Sequence, residues 1–225
     1  MNELLVKTFS ITSEQLILCA NQTLYMVFVS LFLGSVIGFF LAFILVLTKK
    51  NGLKENKLVF TVTSTVINCL RSIPFVILLV FILPVTKAIV GTRIGTTAAL
   101  VPLITFISPY LARLFENSLL EVKAGIIDAA KAMGANTLQI IFYFWLPEAK
   151  GSLILSITIG AISLLGATAM AGVIGAGGIG DLALTYGYER MNSPLMLFTV
   201  IVLIIFVQAI QSIGNYFAKK SYTGS

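Results

Sequence analysis

The 225-residue sequence contains no histidine, two cysteines and one tryptophan, and only 11% of its residues are charged. Without histidine it lacks the usual proton shuttle and the commonest metal ligand, which argues against a membrane metalloenzyme. Cys19 and Cys69 stand far apart with no metal-ligand spacing around them. They read as small buried residues, and no metal site is expected. No Gly-x4-Gly-Lys-Ser/Thr phosphate loop occurs, so the chain does not hydrolyse ATP by itself. Ahead of the first apolar run stand Glu3, Lys7 and Glu14, not the basic start and short hydrophobic stretch of a cleaved leader. The N-terminus is expected to stay attached.

What abounds is apolar surface. Hydrophobic residues make up 58% of the chain and the mean hydropathy is +1.01, values that make a bilayer its main solvent. Charges are missing from 15–48, 94–112, 151–180 and 191–218, and each gap reaches the roughly 20 residues that cross hydrocarbon as a helix. The runs are continuously apolar and do not alternate, which excludes a β-barrel. The pattern predicts an all-α, polytopic membrane protein, a single domain over 1–225 with about five transmembrane helices at 24–47, 67–85, 97–115, 153–174 and 195–216.

An odd number of spans puts the termini on opposite sides. With the N-terminus outside, the inner side carries Lys49, Lys50, Lys54, Lys57, Arg113, Lys123, Lys131, Lys150, Lys219 and Lys220. The outer side holds only Lys7, Lys87, Arg93 and Arg190. The positive-inside rule therefore predicts N-outside and C-cytoplasmic. Membrane-edge lysines also account for the net charge of +6, and no nucleic-acid partner is needed.

Three stretches interrupt this plain pattern. In 58–85, Arg71-Ser72-Ile73-Pro74 predicts a kink or break, because proline removes a helical hydrogen bond and disfavours helix at Ile73. The part before it reads as an interfacial helix. Arg71 either faces water or the bundle interior along a pathway, or snorkels or pairs with a carbonyl at the break. Gly34 and Gly38, one turn apart, read as a helix-packing face. The connection 116–150 is helical but too polar to be a span in its first half. Ile126, Ile127, Ala130 and Met133 recur at helical spacing, Gly134 stops that helix, Asn136 caps a second one, and Leu146-Pro147 ends it. This predicts two short helices at an angle: a knob on the cytoplasmic face, fit for a groove in a soluble partner, or a hairpin lying on lipid.

Within it, Asp128-Ala129-Ala130, then Gly134 after three residues and Leu146-Pro147 after the next nine plus the 144–145 pair, resembles the coupling motif of ABC importer permeases. Asp128 stands for the motif's glutamate and Phe144 for its isoleucine. The resemblance implies that Asp128, Ala129, Ala130, Met133, Gly134, Leu146 and Pro147 couple the chain to two separate nucleotide-binding subunits. Those subunits would hold ATP and Mg, leaving this chain without a cofactor. Gly175-Ala176-Gly177-Gly178-Ile179-Gly180 fits a dinucleotide fingerprint, but it follows a membrane helix, and no acidic residue stands about 20 positions on. It reads instead as a flexible glycine loop on the outer side, able to bend as a gate, with close packing as the plainer alternative.

Together with Ala169-Met170-Ala171-Gly172, Tyr186-Gly187-Tyr188 and Arg71-Ser72-Ile73-Pro74-Phe75, that loop resembles the methionine-importer branch of these permeases. The resemblance implies a homodimer in a bacterial cytoplasmic membrane, fed by an extracytoplasmic solute-binding lipoprotein. Methionine of either hand would pass between the copies by alternating access; another amino acid or a small osmolyte is the alternative. Met170, Arg71, Ser72 and Pro74 become pathway candidates, and Gly175, Gly177, Gly178 and Gly180 gate candidates. Met170 equally suits an irregular gap in helix packing. A membrane enzyme would need convergent catalytic groups, and the expected spans contain no acidic residue or histidine. A secondary transporter would show paired repeats or several mid-membrane ionisable residues, and only Arg71 is of that kind.

Overall fold

The computed structural model describes residues 11–222; Glu3 and Lys7 lie outside the described residues. Helix α1, Ser13–Thr48, begins at a reciprocal cap in which the Thr12 hydroxyl accepts from the Gln15 amide while the Gln15 side chain accepts from the Thr12 N–H. It starts well before the expected 24–47 span. Polar Gln15, Asn21 and Gln22 are poor in hydrocarbon but compatible with a helix, and the cap lets the helix run into them. At 1.5 Å per residue, 36 residues extend about 54 Å, against about 30 Å of hydrocarbon. The extra turns project beyond the bundle, where Ile11 packs on Leu182 and Leu195.

The second span is not one helix over 67–85. Helix α2, Lys57–Ser72, starts under Asn56, whose side chain accepts from the Leu58 and Val59 amides, each at 3.1 Å. Ile73 is extended before Pro74, and α3, Phe75–Phe81, leaves at 101° to α2. Helix α4, Leu83–Val90, then closes on left-handed Gly91. The break forms where the proline rule put it, and a second one at Ile82 makes three pieces of the segment.

Helix α5, Thr96–Leu120, is the central post and carries Pro102 and Pro109 within it. It outruns the expected 97–115 span and so includes a buried acid, Glu116. Helix α6, Ala124–Ala132, is followed by α7, Thr137–Ile174, which continues without a stop at Pro147. A π-turn over Ile140–Trp145 precedes the proline, and the Leu146 amide reaches back to the Ile141 carbonyl. This wider turn gives the proline ring room and lets the helix pass through, correcting the expected end at Leu146-Pro147. After α8, Ile179–Asp181, and a π-turn over Leu182–Tyr188 comes α9, Ser193–Tyr222.

Helices α1, α5, α7 and α9 are long and apolar enough to cross a membrane, and the bent α2–α3 pair makes up to five. Among the described residues there is no strand. The core lies along α5, where Leu103, Ile107, Leu111 and Phe115 are buried with Met26, Val27, Ala42 and Val46 of α1 and Leu164 and Leu165 of α7. Gly34 and Gly38 are the close-approach points. A Cβ at Gly38 would stand 2.9 Å from the Ser108 carbonyl, and one at Gly34 would strike Ile107. Cys19 is half-buried, and Cys69 of α2, expected to be buried, is exposed.

Candidate functional site

The knob forms from local signals. Helix α6 ends at Met133 with Gly134 at φ +78°, a left-handed stop natural to glycine. Asn136 then opens α7: its side chain accepts from the Gln139 amide at 2.9 Å while the Asn136 N–H donates to Gln139 Oε1 at 2.8 Å. The inner face buries Ile127, Ala130, Ile140, Ile141 and Trp145. Asp128, Ala129, Met133 and Gly134 are exposed together at the tip, Pro147 is exposed further along, and Leu146 is half-buried. The outward row thus carries most of the motif, and Ala130 is the small residue that lets α6 sit down on the π-turn. An exposed Lys131–Asp128 pair at 3.3 Å adds little stability. The flanks of 116–150 belong to α5 and α7, so the knob proper is shorter than that segment.

Side-chain hydrogen bonds join this knob to the spans. Buried Trp145 donates its indole N–H to the Leu119 carbonyl at 2.9 Å, satisfying one of the acceptors that a helix end leaves free. The Ser118 and Ser156 hydroxyls lie 2.9 Å apart, and Ser152 bonds both Ser118 at 3.0 Å and Glu121 at 2.7 Å. Beside them Arg113 pairs with Glu116 at 2.7 Å and donates to Ser64 and to Asn68 Oδ1 of α2, the latter at 3.0 Å. These partners escaped the sequence reading. Their only local signal was a scatter of serines at helical spacing, since the pairing itself is long-range.

At the other end of the bundle the glycine loop is held down. Gln22 accepts from the Gly178 N–H at 3.0 Å and Thr23 from the Ile179 N–H at 2.9 Å. Thr96 donates to the Ala176 carbonyl at 2.8 Å, and the Gly95 N–H to the Ile174 carbonyl at 3.2 Å. Gly175, Gly177 and Gly178 all have positive φ, and a side chain at Gly177 would collide with Gln22. Gly180 lies in α8, where its missing Cβ lets the turn rest on Ala169. It belongs to helix packing and not to the loop.

The pathway candidates separate by depth. Arg71 and Ser72 line a cavity of about 460 Å³ with Asn68, Phe106 and Tyr110, and Pro74 heads α3 beside it. Met170 is not among the residues lining that cavity; it closes the α-helical part of α7 at the level of the glycine loop and is 44% exposed.

The model of the binding-protein-dependent transport system inner membrane component family matches residues 34–221. A probable D-methionine transport system permease protein, MetI, of Vibrio cholerae is 47% identical over 212 residues, covering 94% of each chain. The methionine import system permease protein MetP of Bacillus subtilis is 46% identical over 172 residues, covering 76% of this chain and 78% of its own. A solved chain of the inward-facing MetNI methionine ABC transporter superposes with a TM-score of 0.91 at 41% identity, covering 93% of this chain and 97% of its own.

Proposed function

Because the chain belongs to the binding-protein-dependent transport inner membrane component family and is a permease subunit of an ATP-binding-cassette importer, we propose that its cargo is methionine. The names of relatives at 46% and 47% identity support that cargo. The observation that carries the reading is the knob: an exposed Asp128–Gly134 tip on a base bonded into α5 and α7. Such a part suits docking in a groove of a separate ATPase, which supplies ATP and Mg, while the permease does no chemistry on its substrate.

In this reading the whole chain is one permease domain that works as a pair of identical copies with two ATPase subunits and an extracytoplasmic binding protein. The lysine-rich 49–57 loop shares an end with the knob, where Lys49, Asp128 and Lys131 line a common hollow. That shared end faces the cytoplasm and the glycine loop faces outward, so the N-terminus is outside and the C-terminus inside. Closure of the ATPases draws the knobs together and tips α5 and α7, exchanging an inward-open for an outward-open cavity. Met170, Ser72 and Pro74 lie along the path, and Gly175, Gly177 and Gly178 form the outer gate.

The test is ATP hydrolysis by the permease reconstituted with its ATPase and binding protein, with methionine compared against glycine betaine, histidine and glutamine. Stimulation by methionine alone is expected. Stimulation by another ligand alone overturns the cargo assignment and leaves the permease assignment in place.

A further inference from the structure

Arg71 is a mid-depth cation without a counter-charge. Its guanidinium lies 5.8 Å from the centre of the Tyr110 ring. At 1.5 Å per residue, Tyr110 is about 21 Å along α5 from Thr96 and about 15 Å from Leu120, which sets Arg71 near the middle of the bundle. Among the described residues the two ion pairs are Arg113–Glu116 and Lys131–Asp128, and neither includes Arg71. The cavity lining holds no carboxylate, and two of its polar groups are turned to partners elsewhere. The Ser72 hydroxyl donates to the Asn68 carbonyl at 2.8 Å, and Asn68 Oδ1 accepts from Arg113 at 3.0 Å. Arg71 is therefore the one strong donor in that cavity whose charge nothing answers.

Arg71 is exposed within a single copy. At mid-depth a bare cation facing hydrocarbon is costly, so this side of the molecule faces a water-filled space that a second copy completes. Phe106 and Tyr110 supply a half-buried aromatic wall, their rings stacked at 12°. A fork of N–H donors beside an aromatic wall suits a carboxylate attached to an apolar or thioether chain.

We propose that Arg71 binds the α-carboxylate of the transported amino acid as it passes the middle of the membrane, with the side chain against Phe106 and Tyr110. Arg71 is then a specificity-determining residue. It admits free amino acids and rejects analogues whose carboxylate is reduced or blocked. This rests on the reading of the chain as a methionine permease.

The experiment is methionine uptake into proteoliposomes carrying the full permease, ATPase and binding-protein assembly, with ATP hydrolysis measured in parallel. Losing a charge-assisted pair predicts that Arg71→Gln transports about tenfold less methionine per ATP hydrolysed, while Arg71→Lys stays within about threefold of wild type. Hydrolysis stimulated by the binding protein is expected to persist in both variants. A second measurement bypasses delivery. In an assembly carrying Ser72→Cys, with Cys19 and Cys69 replaced by serine, saturating methionine is expected to slow alkylation of the introduced thiol and methioninol to leave it unchanged. If Arg71→Gln fails to assemble, this protection measurement decides the matter. Equal protection by methionine and methioninol, or Arg71→Gln uptake per ATP at the wild-type level, overturns the role of Arg71. A wild-type assembly that moves another amino acid and not methionine overturns the cargo assignment instead, and the same two measurements with that amino acid and its reduced alcohol then judge Arg71.

Discussion

The two ends of the bundle are held in different ways. At the knob end the fastening is made by side chains that reach distant parts of the sequence: Trp145 on Leu119, Ser152 on Ser118 and Glu121, and Arg113, paired locally with Glu116, across to α2. At the glycine-loop end side chains of α1 and α5 hold bare backbone, and close approach depends on absent Cβ atoms at Gly177 and Gly180. The first arrangement ties knob and spans into one body. The second fastens bare backbone by a few hydrogen bonds, over a smaller set of buried apolar residues that includes Ile174, Ala176 and Ile179. In the proposed function the first kind of joint serves a lever where force enters, and the second serves a gate where cargo enters.

The largest effect is expected at the knob. Trp145→Ala leaves a cavity and frees the Leu119 carbonyl, a loss of about 3–5 kcal/mol. Thermal denaturation in detergent should show it, and any assembly that survives should hydrolyse ATP without moving cargo. At the other end, Gly180→Ala forces α8 off Ala169, and overpacking of this kind costs about 2 kcal/mol. A melting shift as large as that of Trp145→Ala would erase the contrast between the ends. Thr23→Val removes one acceptor from the Ile179 N–H and is expected to cost about 1 kcal/mol. Its signature is local: the buried Ile179 N–H should exchange with solvent faster than in the wild type. The smallest effect on stability belongs to Asp128→Ala, within about 0.5 kcal/mol because the side chain is exposed. Yet it should weaken capture of the ATPase subunit, and retention of full ATPase binding would argue against the tip as the docking surface.

The same division marks what could be read from the sequence. Gly134 and Asn136 act through their own backbone neighbours, so the turn of the knob was legible, as was the break at Pro74. Pro147 misled because a π-turn six residues long absorbed it, and that accommodation has no signature in a single proline. The start of α1 was missed because hydropathy marks where a helix can lie in lipid, whereas a cap such as Thr12 marks where it begins. Glu116 escaped notice for a related reason: the helix outlasts the apolar run, and its charge is answered by Arg113 one turn away. Long-range partners such as Gln22 with Gly178, 156 positions apart, have no local trace.

The central claim is that knob and spans move as one body between two states of the gate. Distances between the two copies, measured by paired spin labels on Lys131→Cys at the knob and on Thr92→Cys at the opposite end, with Cys19 and Cys69 replaced by serine, test it most directly. On trapping the ATPase with a non-hydrolysable ATP analogue, the knob-to-knob distance should shorten while the distance at the gate end lengthens. Knobs that close while the gate-end distance stays fixed would contradict the account.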